Sequence, residues 1–175
     1  MLQSIVARLH RLLRLDWEVF REIRADEGAT REAALIVGVV AILSAIGAAA
    51  SSPHAWLLAL VIRLVVAVAV NWLLWSYVAV FVGTNFYGSS TSFWEMARSL
   101  GYANAPMVLI ALSGIGCVGW LVTAVAWLAA VALAVFAVRE TLEIGMESAI
   151  ITTAVAWLVV FVVGALPSWV LPLLS

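Results

Sequence analysis

Five apolar stretches leave this chain few ways to fold: Ala33 to Ala50, Ala55 to Val82, Ala105 to Gly116, Val118 to Val138 and Ala149 to Leu166. A bilayer's hydrocarbon core is about 30 Å thick, and roughly 20 apolar residues in a helix cross it. Backbone polar groups find no water there, so runs of this kind must pair them internally, as helices do. The segments between the runs carry a second pattern. All nine basic residues are arginines, and eight fall in alternate segments. Arg8, Arg11, Arg14, Arg21, Arg24 and Arg31 precede the first run, Arg98 lies between the second and third, and Arg139 between the fourth and fifth. Basic residues near span ends stay cytoplasmic, so this parity predicts an N-terminus inside and a C-terminus outside.

Composition agrees with a membrane-embedded unit. Hydrophobic residues make up 66% and charged residues 11%, against about 25% charged in soluble proteins. The reading is an all-α integral membrane protein: a cytoplasmic amphipathic segment over 1–32, then a five-span membrane domain over 33–175. No room remains for a soluble catalytic domain. A near-neutral balance of nine basic against ten acidic residues argues against nucleic acid as a partner. Six acidic groups within residues 1–32 are also wrong for the positive lead-in of a cleaved signal peptide, so the first span is expected to be retained.

Within 1–32, Ile5, Leu9, Leu12, Leu13, Phe20 and Ile23 recur at helical spacing, with Arg8, Arg11, Arg14, Glu18, Arg21 and Glu22 on the remaining arc. Such a helix suits either the lipid headgroup layer or the protein's own inner loops. Gly28 is expected to break it, and Thr30 to cap the first span. The loop from Gly83 to Ser92 is the most polar stretch of the chain. Ser92-Phe93-Trp94-Glu95 has capping-box spacing, predicting a short helix that rests on the membrane surface before Gly101 and Pro106 turn the chain into span three.

Leu100-Gly101-Tyr102-Ala103-Asn104-Ala105-Pro106, following a Gly/Ser loop and an aromatic-led helix, resembles the core motif of the Yip (Ypt-interacting protein) domain family. The acidic and basic lead-in Asp26-Glu27-Gly28-Ala29-Thr30-Arg31-Glu32-Ala33 is similar to that family's pattern as well. The resemblance covers nearly the whole chain and implies a small, multi-pass, five-span protein without known catalytic residues, with Gly101, Tyr102 and Pro106 as its motif. Eukaryotic members act in vesicle traffic and contact Rab-type GTPases through a longer cytosolic region. Here that region is short and an Asp-Leu-Tyr-Gly-Pro motif is missing, so the GTPase is not carried over. The chain looks like a prokaryotic member, placed in the plasma membrane.

Signals for chemistry are weak. Gly114-Ile115-Gly116-Cys117-Val118-Gly119 matches a dinucleotide-binding string but joins two apolar spans instead of a strand and a helix, so no cofactor is expected. His10 and His54 fall on opposite sides of the membrane, and the single Cys117 forms no cluster, so no metal site is expected. Glu140, Glu143 and Glu147 share spacings of three and four that put them on one helical face, a solvated loop with Arg139 pairing to Glu143. No nucleophile, base and metal share one layer, so the protein is read as not an enzyme.

Arg63 is the exception to the parity, because a charge within a span is costly and defaults to a functional reading. Eight residues beyond Ala55, it lies about 12 Å below the outer boundary. Its partner is either a lipid phosphate or the C-terminal carbonyls of a short span three. Asn71, two turns further, extends a polar stripe that either joins helices or lines a path. Two functions follow: a membrane-organising scaffold that binds other membrane proteins or its own copies, or a small transporter or channel centred on Arg63 and Asn71.

Overall fold

Local signals set most of the helices, and their ends show where local signals stop. The computed structural model describes residues 1–49, 61, 64, 65, 67–112 and 119–170, which are helical apart from short connections and contain no strand. The N-terminal segment is two helices, α1 (Leu2–Leu13) and α2 (Val19–Ala25), where one was expected. Leu15 takes a left-handed conformation (φ 62°), and the Asp16 amide donates back to the Arg11 carbonyl at 3.1 Å. That six-residue closure is the Schellman arrangement, in which glycine usually fills the left-handed site. Leucine there gives no sequence cue. The break frees Trp17 to stack on Phe136, with ring centroids 3.9 Å apart, and buries Val19, Phe20 and Ile23.

Helix α3 (Ala29–Ala49) starts one residue after Gly28, so the boundary drawn at residue 32 falls inside it. Thr30 is therefore within the helix and not its cap; its hydroxyl accepts from Arg98 Nη1 at 3.5 Å. The Asp26 carboxylate instead accepts from the Gly28 amide at 2.9 Å and shapes the entry turn. A π-helical segment (Ala67–Leu74) leads into α4 (Trp75–Tyr87), which continues five residues past Val82 before Gly88 ends it in the left-handed region. Gly83 packs closely on the end of the Leu142 side chain: a Cβ there would lie 2.6 Å from its Cδ2, so a larger residue requires that leucine to move.

The predicted capping box is present at the head of α5 (Phe93–Ala103): Glu95 N donates to Ser92 Oγ at 3.4 Å, and Ser92 N donates to the Glu95 carboxylate at 2.8 Å. The position of α5 differs from expectation. Every residue from Met96 to Ala103 is buried, because the helix is packed among α2, α3, α4 and α6 (Gly119–Leu142) and does not lie on a surface. A 3₁₀ segment (Ala105–Leu112) follows, with Pro106 at its second position, where its missing N–H leaves no bond unmade. At about 2.0 Å per residue these eight residues cover about 16 Å, as far as eleven would in an α-helix.

Helix α6 ends in another Schellman closure without glycine: Glu143 is left-handed (φ 56°) and Ile144 N donates to Arg139 O at 3.3 Å. The chain reverses there into α7 (Met146–Val170). Among the described residues, three helical stretches are long and apolar enough to cross a membrane, Val68–Tyr87, Gly119–Leu142 and Met146–Gly164. Ala126, Ala134 and Ala137 on α6 and Ala149 and Ala156 on α7 are buried, as small residues at close helix contacts should be.

Candidate functional site

The two segments that carry the family resemblance meet each other. Glu32, near the start of α3, is only 6% exposed, and Tyr102, near the end of α5, is fully buried. The Tyr102 hydroxyl donates to Glu32 Oε2. One residue along each helix, Gly101 lies against Ala33, so closely that a Cβ on Gly101 would sit 2.5 Å from the Ala33 Cβ. Glycine is required here for helix approach, and that approach brings the tyrosine within reach of the carboxylate.

Helix α1 closes the site from above. Arg8 Nη1 donates to Glu32 Oε2 at 2.6 Å, its Nη2 to Asp26 at 2.5 Å and its Nε to Glu22 at 3.4 Å. The Ser4 hydroxyl donates to the second Glu32 oxygen. Arg11 adds bonds to Asp16 at 2.8 Å and Glu22 at 2.6 Å. Burial pushes the Glu32 carboxyl up, but the hydroxyls of Ser4 and Tyr102 and the Arg8 guanidinium together hold it below its ordinary value. The Arg8 bond likewise holds Asp26 low. Burial raises the Tyr102 hydroxyl well above the usual phenol range, and the adjacent Glu32 charge adds to that. The cluster is therefore a fixed ion pair in which both Glu32 oxygens are engaged, one by Ser4 and the other by Arg8 and Tyr102.

The apolar arc of α1 is divided between protein and surroundings. Ile5 and Leu12 are buried beside Arg8, while Leu2, Val6 and Leu13 are exposed.

A second polar tie holds the same end of the molecule. The Thr141 hydroxyl donates to Ser99 Oγ at 2.7 Å, and the Thr141 carbonyl accepts from Thr91 at 2.7 Å and from Arg24 at 2.8 Å. Arg21 pairs with the buried Glu140 at 2.9 Å. The three segments that hold eight of the nine arginines are thereby linked to one another. The expected single face of Glu140, Glu143 and Glu147 is not formed, because the reversal at Glu143 separates them. Glu140 is buried against Arg21 and Arg139, Glu143 pairs with Arg24 at 2.7 Å and not with Arg139, and Glu147 is exposed on α7.

Of the other singled-out residues, Pro106 is half-buried in the 3₁₀ segment, and Asn71 is exposed on the π-helical segment, away from the clasp. Arg63, Cys117 and the glycine string up to Val118 lie outside the described residues, as does the proposed capping of span three by Arg63. Among the described residues no three of His, Cys, Asp and Glu converge on a point that would hold a metal ion. Sequence reasoning placed Arg8 on the solvated arc of α1. Its signal was its position next to Leu12 and Ile5 on the wheel, at the edge of the apolar face.

The family model described as the Yip1 domain matches residues 17–166. Neither the curated proteins nor the solved structures yield a match.

Proposed function

This chain belongs to the Yip1 domain family, and from that premise we propose that it is a five-span scaffold protein that organises other membrane proteins. Its N-terminus faces the cytoplasm and its C-terminus the outside of a prokaryotic plasma membrane. The observation that carries the reading is the engagement of both Glu32 oxygens by Ser4, Arg8 and Tyr102. The residues of the family motif are used to join three helices, a structural role that suits a scaffold. Three long apolar helices among the described residues support a chain that crosses the membrane more than once, and the gathering of the arginine-bearing segments at one end supports the orientation. Trp94, 54% exposed at the head of the buried α5, is the residue through which this end meets a neighbour. A photoreactive residue at Trp94 is expected to give discrete crosslinks to membrane proteins in intact cells, and one at the buried Met96 none. Crosslinks from neither position would overturn the scaffold reading.

A further inference from the structure

Helix α1 carries two apolar stripes, and the protein covers one of them. Ile5 and Leu12 are buried, with Arg8 between them in the clasp. Leu2, Val6 and Leu13 are 68%, 65% and 82% exposed, and Leu9 in the same row is half-buried. At 3.6 residues per turn, this second stripe keeps within an arc of about 60° and lies about 100° round the helix from the first. The next quadrant is polar. Gln3, His10 and Arg14 are exposed there, and Arg14 has no ion pair among the described residues. Residues 1–15 contain no carboxylate, so the uncovered surface of α1 is apolar on one arc and basic on the next.

The clasp also fixes the level of α1 relative to α3. Ser4 and Arg8 both reach Glu32 in the first turn of α3, and the short serine side chain does so only from a backbone close by. Beside Glu32, Arg31 is exposed and again has no ion pair among the described residues. It stands one turn before Leu35, Val39, Ile42 and Ile46, which are exposed along a single stripe of α3. A free arginine at the head of such a stripe marks the boundary between headgroups and hydrocarbon. The interfacial layer is roughly 5 to 8 Å thick on each side of the core. A helix about 10–12 Å across, held to Glu32 by a serine, therefore lies in that layer.

A helix lying there has protein on one side, acyl chains beneath it and headgroups on the other side, which is the order of the three arcs of α1. Charge selects the lipid, because an arginine without a protein acid at that level is met best by an anionic headgroup. We propose that the stripe of Leu2, Val6 and Leu13 is a docking surface for the cytoplasmic leaflet, sunk among the upper acyl chains, with Arg14 set against the phosphate of an anionic lipid. The same short helix then touches the leaflet with one arc and the family motif, through Glu32, with another.

The test uses the full chain in a Cys117→Ala background, with a nitroxide on a single cysteine placed at Val6, Leu13, Ala7 or Leu128. These positions are exposed, so the label displaces no packed side chain. In nanodiscs of mixed phosphatidylcholine and phosphatidylglycerol, the probes at Val6 and Leu13 should relax faster with oxygen, which concentrates in lipid, than with an aqueous nickel chelate. At Ala7, on the polar arc, the order should reverse, and Leu128 on α6 should read as deep hydrocarbon. In phosphatidylcholine alone the Leu13 probe should sit shallower, and Arg14→Gln should remove that difference between the two lipids. Val6 and Leu13 as open to nickel as Ala7, with Leu128 in hydrocarbon, would overturn the docking surface and leave the membrane reading intact. Val6 and Leu13 shielded from both reagents would overturn it too, since a protein or a second copy would then cover the stripe. A Leu13 depth indifferent to phosphatidylglycerol would overturn the role given to Arg14. The proposal rests on the chain's crossing a membrane and not on the scaffold role, so a failure of the Trp94 crosslinks leaves it standing.

Discussion

Gly101 and Tyr102 act as a pair, one by what it lacks and the other by what it reaches. With a Cβ at position 101 only 2.5 Å from that of Ala33, Gly101→Ala forces α3 and α5 apart. Overpacking of this kind costs about 1–3 kcal/mol, so the melting temperature of the purified protein should fall. Adding Ala33→Gly should recover most of the loss, and a failure to recover would mean that the close approach is not what Gly101 is needed for. Tyr102→Phe removes a bond to a buried carboxylate, worth about 1.5–3 kcal/mol. Glu32→Gln should cost more, about 3 kcal/mol, because Arg8 loses a buried counter-charge. Combined, the two substitutions should cost less than their sum, since each disrupts the same bond. The string Gly101-Tyr102 was legible in the sequence, and so was the lead-in around Glu32. That they touch was not, because 70 residues separate the tyrosine from its carboxylate and no local spacing encodes the contact.

Helix α1 is held to the rest of the protein chiefly by charge, which makes it the element most sensitive to pH. Glu32 and Asp26 titrate below their ordinary values of 4.5 and 3.8 in the folded state. Groups with lowered values contribute their stability above the unfolded value and lose it as pH falls through the folded one. Amide hydrogen exchange in Leu2–Leu13, taken relative to its intrinsic rate at each pH, should therefore accelerate as pH falls below about 4.5 and protonation releases Arg8, while exchange in the apolar Gly119–Leu142 helix stays slow. Equal acceleration in both helices would mean that acid unfolds the whole protein and not the clasp. Tyr102, with a raised value, gives the opposite limb: its contribution is complete below pH 10.0 and lost at higher pH. The amphipathic pattern of 1–32 was readable from helical spacing. The break at Leu15 was not, because a leucine occupies a left-handed position that sequence rules reserve for glycine, and the stacking of Trp17 on Phe136 offsets the strain of about 1–2 kcal/mol.

Among the described residues the arginine-bearing segments converge on one end, the end proposed to face the cytoplasm. In a Cys117→Ala background, Ser90→Cys should react with a membrane-impermeant thiol reagent only after the cells are permeabilised, and Ser168→Cys should react in intact cells. Labelling of both positions from outside, or of neither, would refute five spans with the N-terminus inside. The same convergence explains why α5 is buried within the protein from Met96 to Ala103. Its polar residues Arg98, Ser99 and Tyr102 are met by Thr30, Thr141 and Glu32 from other segments, so the two buried hydroxyls are paired, while Arg98 Nε has no partner among the described residues.

The sequence by itself determined the helical character, the apolar runs, the capping box at Ser92 and the placing of eight arginines in alternate segments, since each depends on residues within a turn or two of one another, or on a sum over a segment. Only the tertiary structure decided that α5 is buried, that Glu143 reverses the chain and pairs with Arg24, and that Arg8, Glu32 and Tyr102 form one site. A charge can be buried only where partners from distant segments converge on it, and that convergence depends on how the helices pack, which no local pattern in the sequence records.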